Sequence, residues 1–384
     1  MEPVKGFRDI EDSRKRNAIK KVIEETFSLY NFIPIETPII EYEEFVKKDN
    51  ENDEAVSDVF SLEDRGKRKL ALRYEFTFQL KRIAKNKKLP YRVYQIGNVF
   101  RDEPIRGNRW RQFTQCDADI IGAELNDVAE LLKLSSSILK KLNIKNTIYV
   151  NDRKLLNEIL NQIGVLENDR KQVIREIDKL DKLSEKEIRE NLKKYDAEKI
   201  LSILKKPESY FEKYESFKDI NELRKLCKIY GVKVNFSPFL ARGLSYYNWI
   251  IFEIKSKIKE TVAAGGSYLI NNIQSSGISF GLDRLELLAK TNYDKKKILI
   301  ISLNQDKKAI EIAEKIREQG IACQIFCGKI GKALKYADSY NFPYVIFIGD
   351  EEVKKKKIKI RDMKTGKERL LSEKQLQQFL KRFS

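Results

Sequence analysis

The chain has 384 residues, with 76 Lys and Arg against 58 Asp and Glu, a formal net charge of +18, and no histidine at all. Without an imidazole there can be no Ser-His-Asp triad, no Cys-His nucleophile, no histidine-ligated zinc and no histidine general base, so any catalysis must rest on Arg, Lys, carboxylates, Tyr or Cys. The length suits two or three domains, and a hydrophobic fraction of 41% argues against disorder as the main state.

The N-terminal residues 1–17 are dense in charge and lack an apolar signal core. Residues 13–30 then place Ala18, Val22 and Phe27, with Ile19 and Ile23, at helical spacing, and the chain turns into Phe32-Ile33-Pro34-Ile35-Glu36-Thr37-Pro38. Pro38 offers no ladder donor, so it is expected on a strand edge or at an interface. Arg73, Glu75 and Thr77 follow at two-residue spacing.

Residues 91–122 read as a long antiparallel hairpin. One arm ends in Phe100-Arg101-Asp102-Glu103, the turn runs through Pro104 to Asn108, and the other arm returns as Arg109-Trp110-Arg111-Gln112-Phe113-Thr114-Gln115-Cys116-Asp117-Ala118-Asp119. Residues two apart on a strand share a face, so Phe113, Gln115, Asp117 and Asp119 form one row, with Arg101 and Glu103 able to face the same side. A row of this polarity is costly to bury unless its members pair with one another or with a ligand.

Residues 153–234 are rich in Lys, Glu, Leu and Ile, almost free of Gly, and read as helical, an insertion between two β-rich blocks. Then come Ala241-Arg242-Gly243-Leu244-Ser245-Tyr246-Tyr247, a strand around residues 250–254, and Ala264-Gly265-Gly266-Ser267-Tyr268. The glycine pair fits a tight turn or a close approach to a ligand, and Tyr246-Tyr247 fits a core or a site. Gly277 to Leu288 reads as a strand running into a helix that carries Arg284.

In residues 295–384 there are 22 basic against 11 acidic residues, an excess of +11 out of the total of +18. That polarisation argues for a polyanionic partner, of which nucleic acid is the commonest. Apolar runs at 298–303, 321–326 and 344–348 alternate with amphipathic stretches, a βαβα order that predicts a largely parallel sheet. A hairpin around Thr365-Gly366 and a helix capped by Ser372 close the chain. Gly328-Lys329-Ile330-Gly331-Lys332 lacks phosphate-loop spacing and reads as a helix N-terminus. The longest apolar runs fall far short of the ~18 residues of a membrane span. Cys116, Cys227, Cys323 and Cys327 have neither redox nor zinc-cluster spacing and read as free thiols.

The constellation resembles the class II aminoacyl-tRNA synthetases, and within them the histidyl-tRNA synthetase family. Residues 5–9 (Lys-Gly-Phe-Arg-Asp), the helix and strand ending at Pro38, the stretch from Phe100 to Phe113, and Gly281-Leu282-Asp283-Arg284 are similar to the start of the family and to class motifs 1, 2 and 3. The histidine-specific likeness lies in Leu72-Arg73-Tyr74-Glu75-Phe76-Thr77, Gln115-Cys116-Asp117-Ala118-Asp119 and Arg242-Gly243-Leu244-Ser245-Tyr246-Tyr247.

The resemblance implies an α+β catalytic core, an antiparallel sheet flanked by helices, over 1–152 and 235–292. It implies a helical insertion over 153–234 and an α/β anticodon-binding domain over 295–384. The implied reaction joins L-histidine and ATP, with Mg2+ on the ATP phosphates, into histidyl-adenylate and then charges tRNA(His). Arg101 and Arg242 would be the catalytic groups at the α-phosphate. Glu103 would meet the adenine amino group, Phe113 and Arg284 would cover the two ring faces, and Arg109 would reach the pyrophosphate end. Glu75, Thr77 and Gln115 would hold the α-ammonium, and Asp119, Tyr247 and Tyr268 the imidazole. A cytoplasmic homodimer with no structural metal and no membrane contact is the family expectation. The chain departs from the family pattern at Ser245, Asn248-Trp249, Ser267 and Leu269, all beside the imidazole pocket, and at Thr114, where many relatives carry His. Residues 105–108 are where acceptor-stem contacts are expected. The alternative is a non-catalytic, histidine-sensing paralogue of the ATP phosphoribosyltransferase regulatory-subunit type, whose relatives tend to lose the catalytic arginines and the anticodon domain.

Overall fold

The computed structural model describes residues 1–47, 58–105, 109–181, 183–241, 246–258, 260–290 and 296–383. It divides into two units, Met1–Asn292 and Tyr293–Ser384.

In the first unit, helix α1 (Arg14–Leu29) buries Ile19, Ile23 and Phe27, spaced four apart on one stripe. Strands β1 (Ile33–Pro34) and β2 (Ile40–Tyr42), helix α2 (Glu43–Lys47), strands β3 (Ser61–Glu63) and β4 (Lys69–Leu72), and helix α3 (Thr77–Ile83) lead to the hairpin of β5 (Tyr91–Phe100) and β6 (Gln112–Ile121). Helix α4 (Leu125–Lys141) and strand β7 (Thr147–Asp152) precede helices α5 (Arg153–Gln162), α6 (Glu167–Asp178), α7 (Glu185–Lys193), α8 (Lys199–Leu204) and α9 (Phe217–Ile229). Strands β8 (Val234–Phe236), β9 (Tyr247–Lys255), β10 (Ala263–Ile270) and β11 (Ile273–Gly281) run into helix α10 (Leu282–Leu288).

The main sheet has the order β1-β5-β6-β11-β10-β9-β7-β8, and β2-β4-β3 forms a small antiparallel sheet beside it. The inner pairs of the main sheet are antiparallel. Each edge pair, β1 with β5 and β8 with β7, is parallel, so the antiparallel body of the sheet expected from the sequence carries one parallel pair at each edge. The two-residue period of β6 sets the layers: Cys116, Ala118 and Ile120 enter the core shared with α1 and α4, which leaves Gln115, Asp117 and Asp119 on the other face.

Helices α5 to α9 share that core. Leu156, Ile177, Leu201, Phe211 and Leu223 cluster with Ile250, Phe252 and Ile254 of β9. Phe211 sits with its ring 5.2 Å from that of Phe236 on β8. Asp152 caps α5 by accepting from the Lys154 backbone N–H at 2.7 Å, and Ser184 with Glu187 forms a capping box on α7. Trp249 of β9 donates its indole N–H to Asp219 of α9 at 2.6 Å, and the Lys154 ammonium lies 4.7 Å over the indole ring.

Two local expectations change. The edge strand ends at Pro34 rather than Pro38, because the next polar groups leave the ladder: the Thr37 hydroxyl donates to Gln95 at 2.8 Å and the Thr37 carbonyl accepts from Arg73 at 3.0 Å. Arg73, Glu75 and Thr77 do not continue a strand, since β4 stops at Leu72 and Thr77 opens α3.

The second unit runs β12 (Lys297–Ser302), α11 (Asp306–Glu318), β13 (Ala322–Cys327), α12 (Ile330–Ser339), β14 (Tyr344–Ile348), α13 (Asp350–Lys354), β15 (Ile358–Asp362), β16 (Glu368–Leu371) and α14 (Glu373–Phe383). Its sheet has the order β13-β12-β14-β15-β16, with β13, β12 and β14 parallel and the β15-β16 hairpin antiparallel. Alternate residues of β12 supply two cores, Ile298 and Ile300 on one face, Leu299 and Ile301 on the other. Gly366 takes φ 70°, the left-handed conformation the hairpin turn requires. Among the described residues no helix is long and apolar enough to cross a membrane.

Because α5 to α9 share their core with the sheet, Phe211→Ala should lower the stability of the first unit by about 3–5 kcal/mol. Calorimetry should show the whole transition of that unit moving down together. A separate early transition would mean that the helical layer folds on its own.

Candidate functional site

On the face of the main sheet opposite α1 and α4, an apolar cluster of Leu80, Val93, Ile121 and Ile270 adjoins a row of polar side chains. Asp119 and Asp117 lie on β6 with exposures of 5% each. Tyr268 of β10 donates its hydroxyl to Asp119, and Ser279 of β11 donates to Asp117 at 2.5 Å. Gln115 donates its side-chain amide to the Ser279 hydroxyl at 2.9 Å. The rings of Tyr246, Tyr247 and Tyr268 form a triangle with centroids 5.0, 5.5 and 6.1 Å apart. The Tyr246 hydroxyl reaches Glu75 at 3.2 Å and Thr77 at 3.4 Å.

Burial decides the protonation of this group. It pushes the Asp119 carboxyl up to about 7 against the opposing pull of the Tyr268 hydroxyl. Burial and then the neighbouring Asp119 push Asp117 well above the carboxylate range. Burial also raises the phenols of Tyr246, Tyr247 and Tyr268, which keeps them neutral hydroxyl donors near pH 7.

A second cluster stands where the hairpin arms part. The Arg101 guanidinium lies 4.2 Å over the Tyr74 ring and 5.2 Å from the centre of Phe113. Arg101 is 3.9 Å from Glu103, whose carboxylate accepts from Arg109 at 3.1 Å. On α10, Arg284 donates to the Thr261 carbonyl at 2.6 Å, and the Thr261 hydroxyl donates to the buried carboxylate of Glu253. Next to it Asp283 accepts from Arg16 at 2.9 Å, Arg8 at 2.7 Å and the Thr114 backbone N–H at 3.2 Å. Burial raises the Asp283 pKa, but the Arg16 bond and charge outweigh it and hold the carboxyl below its ordinary range. The α10 start is thereby tied to the N-terminal segment and to β6.

The structure thus brings Glu75, Thr77, Tyr247, Tyr268 and Asp119 into one contact cluster through Tyr246, sets Gln115 beside it on β6, and places Arg101, Glu103, Arg109 and Phe113 where the hairpin arms part. Arg242 and Ser245, like residues 106–108 of the hairpin loop, lie outside the described residues. Sequence reasoning did not single out Tyr246, Ser279 or Tyr74. Tyr246 was named beside Tyr247, but its partners Glu75 and Thr77 are 171 and 169 residues away. Asn248 and Trp249, departures from the family pattern, have partners of their own: Asn248 exchanges amide bonds with Gln274, and Trp249 bonds to Asp219. Ser267, another departure, is fully buried 3.5 Å from the Ser276 hydroxyl.

Gly265 and Gly266 lie inside β10, not in a turn. A Cβ on Gly265 would sit 2.1 Å from the Gly277 carbonyl, and one on Gly266 would sit 2.8 Å from the Ile250 carbonyl and 2.9 Å from the Tyr247 ring. A Cβ on Gly277 would sit 2.1 Å from the Asp119 carboxylate and 3.0 Å from the Tyr268 hydroxyl. Strands without side chains at these points are what let the tyrosines and Asp119 lie flat on the sheet. Among the described residues no group of three or more Cys, Asp and Glu side chains is placed to hold a metal ion.

A family model described as histidyl-tRNA synthetase matches residues 6–285, and one described as an anticodon binding domain matches residues 297–383. A histidine–tRNA ligase 1 of Bacillus cereus is 34% identical over 413 residues, covering 96% of this chain and 94% of that one. The histidine–tRNA ligase of Wolinella succinogenes is 33% identical, covering 94% and 93%. Among solved structures, a histidyl-tRNA synthetase from Nostoc superposes with a TM-score of 0.83 over 99% of both chains at 22% identity. An ATP phosphoribosyltransferase regulatory subunit/histidyl-tRNA synthetase from Bacillus halodurans gives 0.77 over 90% of this chain and 97% of that one, also at 22% identity.

The helix-backed sheet with its arginine-bearing hairpin, followed by an α/β unit, is the architecture of a class II aminoacyl-tRNA synthetase. Within that class the chain belongs to the histidyl-tRNA synthetase family.

Gly277→Ala should cost about 1–3 kcal/mol by overpacking Asp119 against β11. Thermal denaturation checks it, with Gly320→Ala as a control in which the added methyl meets no atom within 4 Å, although φ +74° adds its own strain. A loss no larger than in that control would mean that Asp119 moves aside freely.

Proposed function

We propose that this chain is a histidine–tRNA ligase: it activates L-histidine with Mg-ATP to histidyl-adenylate, releasing pyrophosphate, and transfers the histidyl group to the 3′ end of tRNA(His). The carrying observation is the polar cluster of buried Glu75, Asp119 and Tyr268 with half-buried Gln115, Tyr246 and Tyr247, together with an arginine held between two aromatic rings, in a chain of this family. Adenylate formation moves negative charge at the α-phosphate and needs the carboxylate in line with the leaving pyrophosphate. Fixed guanidinium groups serve both needs without a proton shuttle.

In this reading Arg101, pre-oriented by Tyr74 and Phe113, takes the α-phosphate from one side and Arg242 from another. Glu103, steadied by Arg109, accepts from the adenine amino group, Phe113 stacks on one ring face and Arg284 covers the other. Arg109 reaches the pyrophosphate end. Glu253 and Thr261 keep Arg284 in place. Glu75, with Thr77 and Gln115, neutralises and orients the α-ammonium.

Asp119 accepts an imidazole N–H on the carboxylate oxygen that Tyr268 leaves open, and Tyr247 closes the ring pocket. A site of buried hydrogen-bonding groups rejects ligands that cannot pair with it by ~10⁴ or more, which suits selection of a heteroaromatic side chain. The basic second unit binds the anticodon arm, the first unit self-associates as a homodimer, and the protein works in the cytoplasm.

Histidine-dependent ATP–pyrophosphate exchange tests the assignment. Arg101→Ala and Arg242→Ala should each lower its kcat by about 10²–10³ while leaving the fold intact by circular dichroism. Histidine binding without exchange in the wild type would favour a histidine sensor instead.

The raised pKa of Asp119 adds a pH signature. Below about 7 the carboxyl is protonated and loses acceptor capacity, so KM for histidine should fall as pH rises through 7. Asp119→Asn should raise KM and flatten that profile, leaving only the titration of the substrate imidazole. An unchanged profile would remove Asp119 from the imidazole site.

A further inference from the structure

Three side chains on β6 and β11 form a relay with a direction. The strands pair antiparallel with Asp117 opposite Ser279 and Gln115 opposite Gly281, which sets the serine between the carboxylate and the amide. The Ser279 hydroxyl lies 2.5 Å from the Asp117 carboxylate and 2.9 Å from the Gln115 amide nitrogen. The Gln115 side-chain oxygen is buried and has no hydrogen-bond partner among the described residues.

We infer that Asp117 and Ser279 are positioning residues that fix the polarity of the Gln115 amide, so that its oxygen faces the amino-acid pocket as an acceptor for the substrate's α-ammonium. The inference rests on the reading of this pocket as the histidine site. It follows from counting donors. The Asp117 oxygen that faces Ser279 accepts the serine hydroxyl at 2.5 Å, so the single hydroxyl proton of Ser279 is committed to Asp117. The serine oxygen can then only accept from its other neighbour, which obliges Gln115 to present its NH2 to the serine and its oxygen to the pocket. Rotated by 180°, the amide would set two acceptors, its own oxygen and the serine oxygen, against each other and aim N–H donors at a cationic ligand.

Glu75 and Arg101 act electrostatically on Asp117 from either end of the site, and Asp119 acts from its own strand. The ammonium therefore meets the Glu75 carboxyl group and an oriented dipole on Gln115. A buried acceptor left without a partner is costly, and a ligand N–H that satisfies it recovers that cost on binding.

The test compares L-histidine with imidazolepropionate, which keeps the ring and carboxylate but lacks the α-amino group, by calorimetric titration of the full chain. Ser279→Ala frees the amide to rotate. It should weaken histidine binding about 10- to 100-fold, the value of a charge-assisted hydrogen bond, while leaving imidazolepropionate within about twofold. Ser279→Thr, which keeps the hydroxyl, should restore the histidine affinity. In a Gln115→Met background, Ser279→Ala should change the ratio of the two affinities no further, a readout that also serves if the single variant folds poorly.

Equal weakening of both ligands would mean that Ser279 only supports the sheet, and would overturn the inference. So would wild-type affinity for histidine in Ser279→Ala. Failure of the wild type to bind either ligand would strike instead at the histidine-site reading, and the relay would fall with it.

Discussion

Two carboxylates buried two residues apart on one strand, Asp117 and Asp119, are the constraint around which the first unit is arranged. Each would be expensive to desolvate alone, and each is met by a hydroxyl from a different neighbouring strand or the next one over: Ser279 on β11 and Tyr268 on β10. Those donors reach them only because β6, β11 and β10 lie side by side in that order and because Gly277 has no Cβ between Asp119 and the tyrosine. The apolar half of the same strand, Cys116, Ala118 and Ile120, packs into the helical core and holds the polar half still. Core packing and site geometry are two sides of one alternation.

The arginine end is organised differently. Arg101 is oriented by aromatic faces, Arg284 by a backbone carbonyl, and Arg109 by a carboxylate, so three guanidinium groups are placed by three kinds of contact. Asp283, held by Arg8 and Arg16 and bonded to Thr114, joins the N-terminal segment, β6 and α10 into one support behind them.

Much of this was legible in the sequence wherever the information is local. The hairpin and its polar row follow from a period of two, and β5 and β6 pair in the register that puts Gln95 opposite Asp117 and Gly97 opposite Gln115. The order of strands and helices in the second unit follows from apolar runs alternating with amphipathic ones, although the last two strands make its sheet mixed. What could not be read was pairing at long range. Ser279 lies 162 residues from Asp117, and Tyr268 lies 149 residues from Asp119. No spacing rule connects such residues until the strand order is known. Gly265 and Gly266 were ambiguous for the same reason: a glycine pair signals a turn locally, while its use here, making room for a ring on the next strand, is a fact of the sheet.

The bond from Trp249 to Asp219 gives the helical layer a mechanical role. Trp249 stands two residues beyond Tyr247 on the same strand, and its indole is clasped between Asp219 and Lys154 at the two ends of the helical segment. A displacement of α9 therefore pulls on the strand that carries Tyr247. A layer whose sequence reads as an insertion is built into the sheet as a brace.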